Sequence, residues 1–193
     1  MKSASRLRAT CDQVGRRDFV SAVTAGAVLL VSGTTVRAAS RNNGTNKQGP
    51  SKLHVCEACG HVEFVNPPEF CPVCNAEEKF TANDSIFSDA AAKLKDGGAK
   101  HTPTFRVQQR PTLVSDVPCK EVFVRVGERM HEAERDNHIH FIDFYLDGGF
   151  FTRFFASPHM QPAVVLFVKS TATQIRAVSY CSKHGFWQAE ASL

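Results

Sequence analysis

Four cysteines fall into two pairs of the same spacing, Cys56-x2-Cys59 and Cys71-x2-Cys74. Two such pairs bring four thiolates onto one tetrahedral ion, and soft thiolate ligands select zinc or iron. Two structural disulfides are the other use a short exported chain makes of its cysteines, and this paired spacing fits them poorly. A second set is mixed. Cys181-x2-His184 puts one thiolate and one imidazole on a single ion, and His101, His131 and His138 stand at the ends of strand-like runs. More imidazoles than thiolates points to a metal that does chemistry rather than one that only holds a fold.

The other candidates read more plainly. His54 and His61 flank a site that four cysteines already complete, and both read as surface residues. So does His159, between Pro158 and Pro162. His140 shares a strand face with Ile142 and Phe144 and reads as half-buried or exposed. Cys119 reads as a partly buried thiol.

These side chains need elements to position them. Between His54 and Phe80 the chain offers Gly60 for the turn after the first pair, and Pro72 and Asn75 for the second. Val62, Phe64, Phe70 and Phe80 make only a miniature core, so a bound metal must supply much of this module's folding free energy. A short helix is expected from Asp84 or Ser85 to Leu94, ended by Gly97 and Gly98. Beyond Thr102 come β-rich runs at Thr104–Gln108, Glu121–Val126, His138–Leu146, Phe150–Phe155, Ala163–Lys169 and Gln174–Tyr180. Short strands at this spacing predict an antiparallel sandwich, with functional residues on the loops at its ends.

The N-terminus reads as an address. Arg16-Arg17-Asp18-Phe19 precedes an apolar stretch from Val20 to Val31, and Val36-Arg37-Ala38 offers a cleavage site. The stretch is too short and too rich in Gly, Ser and Thr to span a bilayer, which takes roughly 20 apolar residues. Residues 1–38 are therefore expected to be a twin-arginine signal peptide that carries Cys11 away with it. The destination is then the periplasm or another extracytoplasmic space, with no membrane partner after cleavage. Residues 39–52 read as a flexible linker. The net charge of +4 sits largely in the first 47 residues, where Asp12 and Asp18 are the only acids. The near-neutral remainder excludes nucleic acid as a partner.

Two resemblances follow from these motifs. Residues 53–81 resemble the compact rubredoxin-like domain at the end of rubrerythrins, which implies iron, although zinc suits the same ligands. Residues 98–193 resemble superoxide reductases, that is, neelaredoxin and the C-terminal domain of desulfoferrodoxin. The matching segments are Lys100-His101-Thr102-Pro103, Val126-Gly127 with His131, Ile139-His140-Phe141-Ile142-Asp143, and Ser179-Tyr180-Cys181-Ser182-Lys183-His184-Gly185-Phe186-Trp187. Residues 82–97 form a bridging segment. The fold class expected is thus mainly β, a rubredoxin-like four-cysteine knuckle followed by an immunoglobulin-like antiparallel sandwich.

The resemblance implies a ferrous ion held by imidazoles and one axial thiolate, reducing superoxide to hydrogen peroxide. It assigns His101, His131 and His184 to imidazole ligands, Cys181 to the thiolate, and Lys100 to attracting superoxide and assisting protonation. An electron donor protein that the chain does not identify would supply electrons, with the four-cysteine iron as a relay, and family members often associate with further copies of themselves. Three departures stand out. Ala99 replaces a glutamate, Glu132 replaces a proline, and Asn137 falls at the fourth imidazole position. Either a β-bulge delivers His138 to the metal or the ion has three imidazoles and one thiolate. Two other readings stay open: an exported iron-binding electron-transfer protein without superoxide turnover, and a zinc-stabilised binding protein with a vestigial second site.

Overall fold

A computed structural model describes residues 52–94, 97–114 and 117–193. The expected signal peptide with Cys11, and all but the last residue of the linker, lie outside the described residues. Cys56 closes a short strand, β1 (His54–Cys56), and the chain turns back at Gly60, whose φ of +73° suits glycine. It then pairs with β1 as β2 (Val62–Glu63), and β3 (Phe80–Ala82) adds to the other edge, all antiparallel. The second cysteine pair turns at Asn75, also in the left-handed region, with its N–H donating to the Cys71 carbonyl.

Helix α1 (Ile86–Lys93) starts after Ser85, buries Ile86 and Ala90, and stops at Leu94, whose backbone is extended. Gly97 and Gly98 do not end this helix, contrary to the sequence reading. Instead Gly97 precedes a single helical turn, α2 (Gly98–His101), that presents Lys100 and His101 in succession. Gly97 is required there for space. A Cβ would lie 2.7 Å from the Trp187 ring and 2.8 Å from Leu94.

Seven strands follow: β4 (Pro103–Gln108), β5 (Cys119–Val126), β6 (Ile139–Leu146), β7 (Gly149–Phe155), β8 (Ala163–Lys169), β9 (Gln174–Cys181) and β10 (Gly185–Ser192). They form two antiparallel sheets, β10-β9-β6-β7 and β4-β5-β8, the four-plus-three division of an immunoglobulin-like sandwich. The expected strands are present within two residues at each end. The hairpin strand β10 was not anticipated, because Cys181 and His184 read as the close of the last strand rather than as a turn between two.

The core explains the pattern in β5, where Val122, Val124 and Val126 are buried while Phe123 and Arg125 face out. Strand β6 breaks this alternation, since every residue from Phe141 to Tyr145 is buried. Ile142 and Phe144 enter the sandwich core. On the opposite face Tyr145 packs with Val62 of the knuckle and Ile86 of α1. The four-cysteine knuckle therefore covers the outer face of this sheet, and the described residues lie in one compact unit. Each large side chain so buried contributes about 1.5–3 kcal/mol. Among the described residues no helix is long and apolar enough to cross a membrane.

Candidate metal centres

The thiols of Cys56, Cys59, Cys71 and Cys74 lie within 4.8 Å of one another. The closest pairs, Cys56 with Cys74 and Cys59 with Cys71, are 3.7 and 3.6 Å apart, far beyond the ~2 Å of a disulfide. Burial pushes the Cys59 thiol up and also acts on Cys74. The Ala76 N–H and the neighbouring sulfurs overcome it at Cys74 and bring that thiol down to about 7. Burial is the main cost of charging Cys59 and Cys71, and a divalent ion among four thiolates would offset it. The donor set fits iron or zinc.

The second cluster comprises His101, His131, Cys181 and His184. Helix α2 ends at His101, the loop after β5 supplies His131, and the β9–β10 turn supplies Cys181 and His184. Nε2 of His101 lies 2.9 Å from Nδ1 of His184 and 3.0 Å from Nε2 of His131. The Cys181 Sγ is 3.4 Å from both His131 Nε2 and His184 Nδ1. One nitrogen of each imidazole and one sulfur thus converge on a single point.

The outer atoms fix this aim. Nδ1 of His101 is 2.7 Å from the Gly97 carbonyl, and Nδ1 of His131 bonds the Glu132 carbonyl. Such bonds to the far ring nitrogen set tautomer and ring orientation for metal ligation. Trp187 stacks on the His101 ring at 5.1 Å, and the Ser179 hydroxyl donates to the His101 carbonyl. Burial holds His101 down at about 4, with His131 and His184 adding to the shift. Burial also lowers His184 and raises the Cys181 thiol. Neutral imidazoles are the form that binds metal, and a cation offsets the cost of the buried thiolate. These residues fit a transition ion that accepts nitrogen and sulfur together.

The structure does not bring His138, one of the expected ligands, into this cluster. The Nδ1 of His138 is 3.1 Å from the Glu134 carbonyl, and its ring stacks on His140 at 4.3 Å. A bulge does interrupt β6, but one residue too late to help. Ile139 pairs with Cys181 and Phe141 with Tyr180, so His140 is the extra residue. Asn137 is the residue on the cluster side, its Oδ1 3.6 Å from the Cys181 Sγ. His140 and His159 are exposed, and Cys119 is buried.

Lys100 ion-pairs with Glu132, and both side chains are 37% exposed. The Lys100 ammonium holds the Glu132 carboxyl at about 2. Glu132 was noted in the sequence only as a missing proline. His61 also departs from expectation: it is fully buried rather than on the surface, and His54 is half-buried. His61 bonds Asp143, which Arg153 also holds. The signal for this group was a lone acid and a lone base inside two apolar strands, β6 and β7.

Known proteins resemble this chain over the stretch that carries the mixed cluster. The family described as Desulfoferrodoxin matches residues 93–190. A desulfoferrodoxin of Desulfarculus baarsii is 30% identical over 145 residues, covering 73% of this chain and 98% of that protein. A superoxide reductase of Pyrococcus horikoshii is 30% identical over 108 residues, 50% of this chain and 89% of the relative. The solved superoxide reductase from Treponema pallidum covers 72% of this chain and 98% of its own, at 17% identity and a TM-score of 0.49. A match that spans all four residues of the mixed cluster, joined to a relative covered almost end to end, makes this chain a member of the desulfoferrodoxin family.

Proposed function

We propose that this chain, with iron at His101, His131, Cys181 and His184, is an oxidoreductase that reduces superoxide to hydrogen peroxide. The observation that carries the reading is the convergence of three imidazole nitrogens and one thiol on a single point in a member of this family. Relatives named superoxide reductase support it.

Superoxide needs one electron and two protons to become hydrogen peroxide. Iron bound at the mixed cluster would supply that electron from its ferrous state. His101, His131 and His184 would hold the ion, each through one ring nitrogen. Cys181, as a thiolate, would lend the ion charge and so favour loss of an electron. Lys100 lies close enough for its charge to act on His184. It draws the substrate anion inward and delivers a proton to it.

The four-cysteine knuckle is the proposed relay, rubredoxin-like, holding iron (zinc suits the same ligands) and taking electrons from an external donor protein. Residues 1–38 are the proposed twin-arginine signal and residues 39–52 the linker, which would place the mature chain outside the cytoplasm. The arginine pair and the apolar run after it support that part.

The test places the reduced, iron-loaded chain in a measured flux of superoxide and counts peroxide against superoxide consumed. About one peroxide per superoxide, with iron oxidised in step, is expected. About half a peroxide per superoxide, at the rate seen without protein, would overturn the reading. It would favour instead an exported electron carrier without superoxide turnover, the alternative to which Asn137 lends weight.

A further inference from the structure

We propose that Glu132 gates anion access to the mixed cluster by holding the Lys100 ammonium; the proposal rests on the reading of that cluster as an anion-reducing iron site. Each of two ligand histidines brings a charged neighbour to the site. Lys100 precedes His101 on α2, and Glu132 follows His131 in the loop after β5. The two neighbours have opposite signs and meet.

The meeting is built into the backbone. The N–H of Gly127 donates to the Thr102 carbonyl, and the N–H of Arg129 donates to the Ala99 carbonyl, both at 2.9 Å. Gly127 has a φ of +84°, and a Cβ there would lie 2.4 Å from the Arg129 carbonyl oxygen and 2.6 Å from that of Lys100. Only glycine lets the two segments approach this closely. The pair is therefore set by two stapled loops rather than by two free side chains.

An exposed ion pair of this kind stabilises a fold little. Its consequence is electrostatic. Glu132 directly follows the candidate ligand His131, so its charge stands beside the cluster. A lysine held by a carboxylate attracts an anion less strongly than a free one. An arriving anion must share the ammonium with that carboxylate and lie near its negative charge. Glu132 is thus a positioning residue that restrains anion entry, and its loss frees the charge of Lys100, with Lys183 nearby. Changing a rim charge acts mainly on association and on its salt dependence.

The experiment is an optical titration of the oxidised, iron-loaded chain with azide, at low and high ionic strength. For Glu132→Gln, azide affinity should rise about 3–10-fold at low salt and the salt dependence should steepen. Glu132→Asp, which keeps the charge, should stay near the unaltered chain. The gain from Glu132→Gln should shrink in a Lys100→Met background. Affinity within about two-fold of the unaltered chain, or an equal gain without Lys100, would overturn the gate while leaving the site reading intact. No azide-dependent change in any form would overturn the site reading itself, and the gate with it.

Discussion

Nδ1 of His61, two residues beyond Cys59, lies 2.9 Å from Oδ2 of Asp143 at the centre of β6, and both side chains are fully buried. Arg153 on β7 grips the same carboxylate through Nε at 2.5 Å and Nη2 at 2.7 Å. Its third nitrogen donates to the carbonyl of Cys59 at 2.9 Å. A buried polar group thus joins the knuckle's ligand loop to the sandwich. The Tyr145 hydroxyl adds a bond to the Val62 carbonyl at 2.6 Å. Burial disfavours a charged His61, but its bonds to Asp143 and Glu63 outweigh this and raise its affinity for a proton.

Asp143→Asn should therefore be severe. It would leave Arg153 charged, buried and without its counter-ion. Breaking one partner of such a group costs about 3–5 kcal/mol. Denaturant unfolding of the metal-loaded chain checks it, and a loss under about 1 kcal/mol would mean that the group is far more solvated than its burial implies.

Much of this was legible beforehand. Alternation in β5 and the Pro and Gly breaks located the sandwich, and Cys-x2-Cys located the knuckle. The pairing of His61 with Asp143 was not legible, because His61 looks ordinary alone and its partner lies 82 positions away. The exclusion of His138 was likewise beyond the sequence. A bulge was anticipated as the device that would turn it inward, but where a bulge falls depends on pairing with β9.

Gly97→Ala tests how the mixed cluster is aimed. The new methyl would meet the Trp187 ring at 2.7 Å, and the Gly97 carbonyl is the partner of His101 Nδ1. Overpacking of this kind costs about 1–3 kcal/mol. A displaced His101 partner should weaken metal at the mixed cluster about tenfold. Metal at the four cysteines should be retained, and equal loss at both sites would point to general unfolding instead.

Removing metal from the four cysteines, by a chelator or by Cys71→Ser, should loosen the knuckle and spare the sandwich. Val62, Tyr145 and Val178 would lose their cover. Amide hydrogen exchange should quicken across β1 to β3 while the amides of β5 stay protected. Protection of β1 to β3 that survives metal removal would show that packing against β6 suffices to fold the module.

Acid should act on the β6–β7 turn. Asp147 accepts bonds from the Thr173 hydroxyl and from the N–H groups of Thr173 and Gln174, and the Thr173 hydroxyl leads in depressing its carboxyl. A depressed carboxyl contributes stability above its unfolded value, which is lost as pH falls through the folded one. The stability gap between the unaltered chain and Asp147→Asn should be full at pH 6 and close as pH falls below about 4. A gap that does not vary with pH would leave only a steric cause.

Asn137 stands where a fourth imidazole would reach an ion held by the mixed cluster. Its side chain lies 3.6 Å from the Cys181 sulfur, whereas His138 turns away to the Glu134 carbonyl and stacks on His140. Asn137→His should add a fourth imidazole where the amide now lies. Resistance of the bound iron to a competing chelator should then rise about tenfold or more, and the thiolate-to-metal absorption should shift with the changed ligand field. His138→Ala should leave both within about two-fold of the unaltered chain, since that ring touches none of the four donors. If His138→Ala strips iron as thoroughly as His184→Ala, then the loop rearranges around the ion, and the arrangement with three imidazoles and one thiolate is wrong.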